Sequence, residues 1–131
     1  LLDFNQVIEI NPKHATAYYN RATVRSKGFS DNRGALIDYN QSIRLDTNYY
    51  PSYNNRGNIR KQLGDINGAI LDFDKAIAIN PKYAIAYYNR GVAKQGLGDL
   101  SSACTDYEVA ISIGDRNLVK WIQMQIKSWC N

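Results

Sequence analysis

An Asn-Arg pair recurs along this chain at Asn20-Arg21, Asn55-Arg56 and Asn89-Arg90, with successive arginines 35 and 34 residues apart. Recurrence at a fixed period constrains the fold more than any composition can, because units that repeat in sequence stack on one another and share a continuous core. Other columns fall into line on that period. Ala35, Ala69 and Ala103 align, each followed by an Asp-aromatic pair, Asp38-Tyr39, Asp72-Phe73 and Asp106-Tyr107, and a further copy, Asp3-Phe4, opens the chain. Ile10-Asn11-Pro12 and Ile79-Asn80-Pro81 mark two boundaries; Gly64-Asp65 and Gly98-Asp99 mark the middle of two repeats. The extra residue of the first full repeat falls between Ser26 and Gly34, a turn-rich stretch where an insertion costs least.

Each period reads as two helices. Tyr87 and Gly91, four apart, fall on one helical face, and Ala103, Tyr107 and Ala110 form a second stripe after the Gly98-Asp99 break. Small residues facing aromatic ones allow antiparallel helices to approach closely. Pro12 and Pro81 follow helix ends, and Pro51 sits where a first helical turn tolerates it. The spacing predicts helices near 2–10, 15–27, 33–45, 50–63, 67–79, 84–97, 101–112 and 117–129, with no competing strand signal.

The small-large spacing, mid-repeat Gly-Asp, closing Asn-Pro and 34-residue period together resemble a tetratricopeptide repeat, in the wording of bacterial arrays of that family. The resemblance covers 1–114 and implies an all-α, α-solenoid fold of helix-turn-helix repeats. It divides one domain, 1–131, into the second helix of a truncated repeat (1–11), repeats at 12–46, 47–80 and 81–114, and a C-terminal capping helix (115–131). Two departures stand out. Arg25, Arg60 and Lys94 occupy a column where the family usually has an aromatic, and Thr47 stands where a boundary proline is usual.

At 131 residues and 44% hydrophobic, three repeats and two flanking helices suffice for a continuous core. The chain begins at Leu1 inside a helix without a methionine, as a piece of something longer would, and no apolar run approaches a membrane span. A net charge of +4 does not by itself imply nucleic acid. Cys104, among small residues at a helix start, reads as a buried inert thiol; a bridge to Cys130 needs Cα atoms within about 7 Å, and the antiparallel register is expected to hold them farther apart. Reduced thiols fit a cytoplasmic protein. In the last segment Leu118, Ile122, Ile126 and Trp129 form one apolar stripe, with Lys120, Gln123 and Lys127 elsewhere, and Trp121 reads either as a rim residue packing on the preceding helix or as a partner contact. The segment from Leu1 to Ile10 has no visible cap, so its apolar side is open to self-association.

Catalysis would require convergent reactive groups. His14 lies in a turn without a plausible partner and reads as a solvated loop residue. No metal-ligand spacing and no phosphate loop appears, and Asp38, Asp72 and Asp106 are a repeat apart, too separated for a catalytic pair. The expectation is no enzyme activity, no metal and no cofactor.

On a helical wheel with Tyr87 at zero, Gly91 lies at about 40°, Arg90 at about 300° and Asn89 at about 200°. Arg21, Arg56 and Arg90 therefore border the packing stripe, as Asp38, Asp72 and Asp106 do on the second helices, and the expectation is a structural column of ion pairs, either within a repeat or from Asp38 to Arg56 of the next, with direct ligand binding by the arginines as the alternative. The resemblance implies that first helices line a concave groove. Asn20, Asn55 and Asn89 then face it, flanked by Tyr19, Asn54 and Tyr88, by Thr23, Asn58 and Val92, and by Lys27, Lys61 and Gln95. Arg25, Arg60 and Lys94 have no matching acidic row and read either as a solvated edge or as a positive seam along the groove wall.

Two functions follow. The first is a protein-interaction scaffold that holds an extended peptide segment of a partner, acidic if the basic row selects it, through an asparagine ladder; some arrays of the family do this. Others grip a C-terminal carboxylate with lysines, but Tyr19, Asn54 and Tyr88 stand where the first lysine of that clamp would be. The alternative is anion or single-stranded nucleic-acid binding along the basic row, with stacking on Tyr19 and Tyr88; nothing beyond those tyrosines interleaves aromatics with cations.

Overall fold

The structure, a computed structural model, describes residues 2–126, 129 and 130. Those residues form α1 (Leu2–Ile10), α2 (Ala15–Phe29), α3 (Asn32–Leu45), α4 (Tyr50–Gln62), α5 (Ile66–Ile79), α6 (Ala84–Gly96), α7 (Leu100–Ile113) and α8 (Arg116–Ile126), and among them there is no strand. Most expected helix bounds lie within a residue or two of these. The expected run of the last helix to 129 crosses 127–128, including Lys127, outside the described residues, and Trp129 itself is not helical.

Short polar caps start the second helices. Asp31, Asp65 and Asp99 each turn a carboxylate onto the backbone N–H three residues on, at 2.9, 3.0 and 3.2 Å. His14, expected as a solvated loop residue, also caps: its Nδ1 accepts from the Ala17 N–H at 3.0 Å, satisfying a donor that the first turn of α2 leaves free. The boundary without a proline folds like the others. Asp46 Oδ1 accepts from the Asn48 N–H as Asn80 Oδ1 accepts from that of Lys82, and Tyr53 donates to the Thr47 carbonyl as Tyr87 donates to that of Pro81. That turn uses the residue's carbonyl, so threonine serves.

Between paired helices the chain reverses through a left-handed residue. Gly64 and Gly98 take φ of 89° and 85° there, and Ser30 takes 54° in the same place. The extra residue of the first repeat lengthens the preceding helix: the Arg25 carbonyl accepts from Asp31 across six residues, where that of Arg60 accepts from Asp65 across five.

Helices pack in chain order, α2 on α3, α4 on α5 and α6 on α7, and the first helices α2, α4 and α6 also touch in succession. Contact between first helices puts them on the inner side of the curve. Alanines and aromatics fill the interior: Ala22, Ala35 and Tyr39; Ala69, Phe73 and Ala93; Ala103, Tyr107 and Ala110. At Gly57 a Cβ would meet the Phe73 ring at 2.7 Å, so only glycine lets α4 lie this close to α5. Ile122 and Ile126 of α8 complete the cluster on α7.

Candidate functional site

The arginine of each first helix forks onto the aspartate of its own repeat. Arg21 donates Nε and Nη2 to Asp38 at 2.8 and 2.7 Å, Arg56 does so to Asp72 at 3.0 and 2.7 Å, and Arg90 to Asp106 at 2.9 and 2.7 Å. The remaining Nη1 reaches back to the preceding repeat, to Asn5, Asn40 and Asp74. Of the two pairings open in the sequence, the one within a repeat forms; Asp38 does not reach Arg56, whose link to the preceding repeat ends on Asn40. Asp38, Asp72 and Asp106 are 1%, 3% and 3% exposed. Asp106 holds the Arg90 pKa above its ordinary value against the opposing effect of burial, and Asp38 does the same for Arg21.

The second basic row is not a seam along the groove wall, and its acidic row exists. Arg25 and Arg60 donate Nη1 to Asp38 and Asp72 at 2.9 and 3.0 Å, and Lys94 Nζ lies 3.0 Å from Asp106. A carboxylate has acceptor capacity for all these donors. The same three aspartates therefore hold both rows.

On the inner face the polar residues bond to one another across the repeats. Asn89 donates Nδ2 to Asn54 at 3.0 Å, Asn54 donates to Asn55 at 3.2 Å, and Asn55 donates to the Tyr19 and Tyr39 hydroxyls at 3.2 and 3.3 Å. Thr23 shares a 2.9 Å bond with the Tyr39 hydroxyl and donates to the Tyr19 carbonyl. Asn54 and Asn89 are only 3% and 7% exposed. Neither is an open groove side chain, because neighbouring first helices close over them. Asn20 and Asn55 are half-buried.

A cavity of about 160 Å³ opens between α2 and α4, lined by Ser26, Lys27, Tyr39, Asn55, Asn58 and Gln62, with Ile59 at its side. Lys61, on the adjoining turn, has its pKa pushed down by burial. At the other end Tyr88, Val92 and Gln95 share an open depression of about 400 Å³ with Gln125 and Trp129, and Gln95 accepts from the Tyr107 hydroxyl at 2.7 Å. Trp121 stacks edge-on against Tyr88 with ring centres 4.9 Å apart, so the C-terminal segment borders this part of the groove.

Two features escaped the sequence reading. Tyr49 meets Tyr19 at 5.2 Å and Tyr50 meets Tyr83 at 4.7 Å, an aromatic row in which Tyr49, Tyr50 and Tyr83 open first helices and Tyr19 comes from within α2. Burial, aided by Tyr19, Tyr50 and Tyr49, pushes Tyr83 up to about 12. The signal available was the recurrence of tyrosine at those boundaries. The second is a disulfide: Cys104 and Cys130 are bonded, with Cα atoms 5.4 Å apart. The expectation of separated, reduced thiols is overturned, because the chain beyond α8 returns to the start of α7, and the cytoplasmic expectation loses the argument it rested on. No helix among the described residues is long and apolar enough to cross a membrane.

Family models described as TPR repeat and tetratricopeptide repeat match residues 57–98 and 84–113. No curated protein matches the chain in sequence. Among solved structures, the first TPR of Spaghetti (RPAP3) bound to an HSP90 peptide is similar at TM-score 0.74 and 24% identity, over 87% of this chain and 94% of that one. MamA is similar at TM-score 0.77 and 21% identity, over 93% and 74%. The Arabidopsis OM64 TPR domain follows at 0.76 and 23%, over 86% and 93%.

Proposed function

We propose that this chain, a tetratricopeptide-repeat protein, is a protein-interaction scaffold that takes an extended peptide segment of a partner along its inner face. The observation that carries this reading is the continuous stripe of amides and hydroxyls from Asn89 to Thr23, crossing three first helices beside a polar cavity. A peptide backbone offers a donor and an acceptor in each unit, which amide side chains can match.

Within the asparagine ladder the labour divides. Asn54 and Asn89, bonded to each other, hold adjacent first helices in register. Asn20 and Asn58 are left to meet the ligand, Asn55 adds the remaining acceptor capacity of its Oδ1, and Lys27 and Lys61 favour acidic side chains on it. The similar Spaghetti domain holds an HSP90 peptide, the same broad class of ligand. A lysine grip on a terminal carboxylate does not transfer, since Tyr19, Asn54 and Tyr88 fill its column. Anion or nucleic-acid binding along Arg25, Arg60 and Lys94 has no free cations to draw on, because those groups pair with aspartates.

Titration against a library of fluorescent extended peptides tests the reading, with an oligothymidylate at low and high salt as comparison. The expected result is peptide binding that falls at least several-fold, about 1 kcal/mol per contact, in Asn20→Ala/Asn55→Ala/Asn58→Ala. Undiminished binding by that variant, with its circular dichroism intact, would place the ligand on another surface. Salt-sensitive binding of the oligonucleotide alone would replace the peptide reading.

A further inference from the structure

Two concavities of the inner face occupy the same register of the repeat. The polar cavity between α2 and α4 is lined by Ser26 and Lys27 on one side and by Asn58 and Gln62 on the other. The open depression of about 400 Å³ is lined by Gln95 and Gly96 of α6 and, from the other side, by Gln125 of α8 and by Trp129. Ser26 and Lys27 stand in the repeat columns of Gln95 and Gly96, and Gln125 and Trp129 have the four-residue spacing of Asn58 and Gln62. One line along the groove runs through both.

Their chemistry differs. Gly96 stands where the first cavity has Lys27, and an indole where it has Gln62, so among the described residues the lining of the second carries no charge. Tyr88 and Val92, both half-buried, complete it, and Trp121 backs Tyr88 edge-on with ring centres 4.9 Å apart. Trp129 lies beyond α8 and is exposed. A backbone bond to the Ile126 carbonyl and the disulfide of its neighbour Cys130 to Cys104 hold it at the edge of the depression. A wall fixed in advance costs a ligand less to order.

We propose that this depression is a second subsite of the inner face, taking a large apolar side chain, aromatic or long aliphatic, from the same peptide whose acidic side chain enters the cavity beside Lys27. Such a subsite presupposes peptide binding along the amides and adds a required spacing to it. The α2/α4 and α6/α8 intervals are two first-helix steps apart, roughly 20 Å at about 10 Å for each packed pair. An extended segment advances about 3.3 Å per residue, so the acidic and apolar side chains stand about six residues apart. An even separation also turns both toward the same face of the segment.

The test is fluorescence titration with extended peptides that carry one glutamate and one phenylalanine at varied separation in a serine-threonine background. Affinity should peak at a separation of about six residues. Replacing the phenylalanine of that peptide by serine should weaken binding about tenfold. Trp129→Ser, shown to be folded by circular dichroism, should remove most of this difference and leave the affinity for the serine peptide unchanged. Cys104→Ser/Cys130→Ser should reduce the difference as well, because the wall loses its anchor. Asn20→Ala/Asn55→Ala/Asn58→Ala should instead weaken both peptides alike. Equal binding of the two peptides, or a preference for phenylalanine that either the Trp129 or the cysteine variant leaves intact, overturns the subsite while peptide binding stands. Failure of every peptide to bind overturns both.

Discussion

Asn89 of α6 donates its amide to Asn54 of α4 at 3.0 Å, and both side chains lie almost wholly out of water. A buried amide that loses its partner has no water to replace it. Asn54→Ala should therefore lower stability by about 1–3 kcal/mol, and Asn54→Ala/Asn89→Ala by less than the two single effects added together. Urea denaturation of the four proteins of that cycle reads the coupling. Additive losses would mean that the bond does not join the repeats.

Asp72 sits under Arg56 and Arg60 and is almost inaccessible to solvent. Removing the carboxylate leaves two cations facing each other across its place. Asp72→Ala is expected to cost about 3–5 kcal/mol. Arg60→Ala, which leaves the Arg56 fork in place, is expected to cost only about 1–2 kcal/mol. Chemical denaturation distinguishes them, and equal losses would show that Arg56 alone does not satisfy the aspartate.

Ser30 holds the left-handed turn that glycine holds in the next two repeats. The Cβ of serine is disfavoured there, so Ser30→Gly should raise stability by roughly 0.5–1 kcal/mol despite the greater freedom that glycine gives the unfolded chain. A lower melting temperature would count against strain at this turn.

Much of the architecture is legible in the sequence because a repeat states each contact several times. Ala35, Ala69 and Ala103 opposite the small residues of the first helices already imply close helix pairs. The wheel places Arg56 and Asp72 at facing borders, since their angular positions depend only on the helical period. What the wheel of one helix lacks is the approach of the next first helix, and that approach buries Asn54 and Asn89. The second basic row was misread as unpartnered because the aspartates were matched one to one with the first row, although each carboxylate can accept from more than one donor. The pairing of Cys104 with Cys130 depends on the path of the chain beyond Ile126, which no recurring column reports.

Reduction offers a check on that pairing. The disulfide joins residues 26 apart and ties the segment bordering Tyr88 to the start of α7. Cys104→Ser should lower stability by about 2–4 kcal/mol and alter tryptophan emission from Trp121 and Trp129, while far-ultraviolet circular dichroism of the repeats is retained. Identical emission from the oxidised and reduced protein would separate the bond from the packing around Tyr88.

The tyrosines give the array an alkaline limit. Burial is the first cause raising Tyr83 and Tyr107 to about 12, and it raises Tyr39, Tyr49 and Tyr88 above the ordinary 10.0 as well. A tyrosine is neutral when protonated, so a raised folded-state value means that the native protein keeps protons which the unfolded chain releases. Their contribution is fully present below the unfolded value of about 10 and is lost as pH climbs through the folded values toward about 12. Melting temperature should therefore fall between about pH 10 and 12. Tyr83→Phe, which retains the ring without the ionisable hydroxyl, should flatten part of that fall. Parallel melting curves across this window for the wild type and Tyr83→Phe would assign the alkaline loss to other groups.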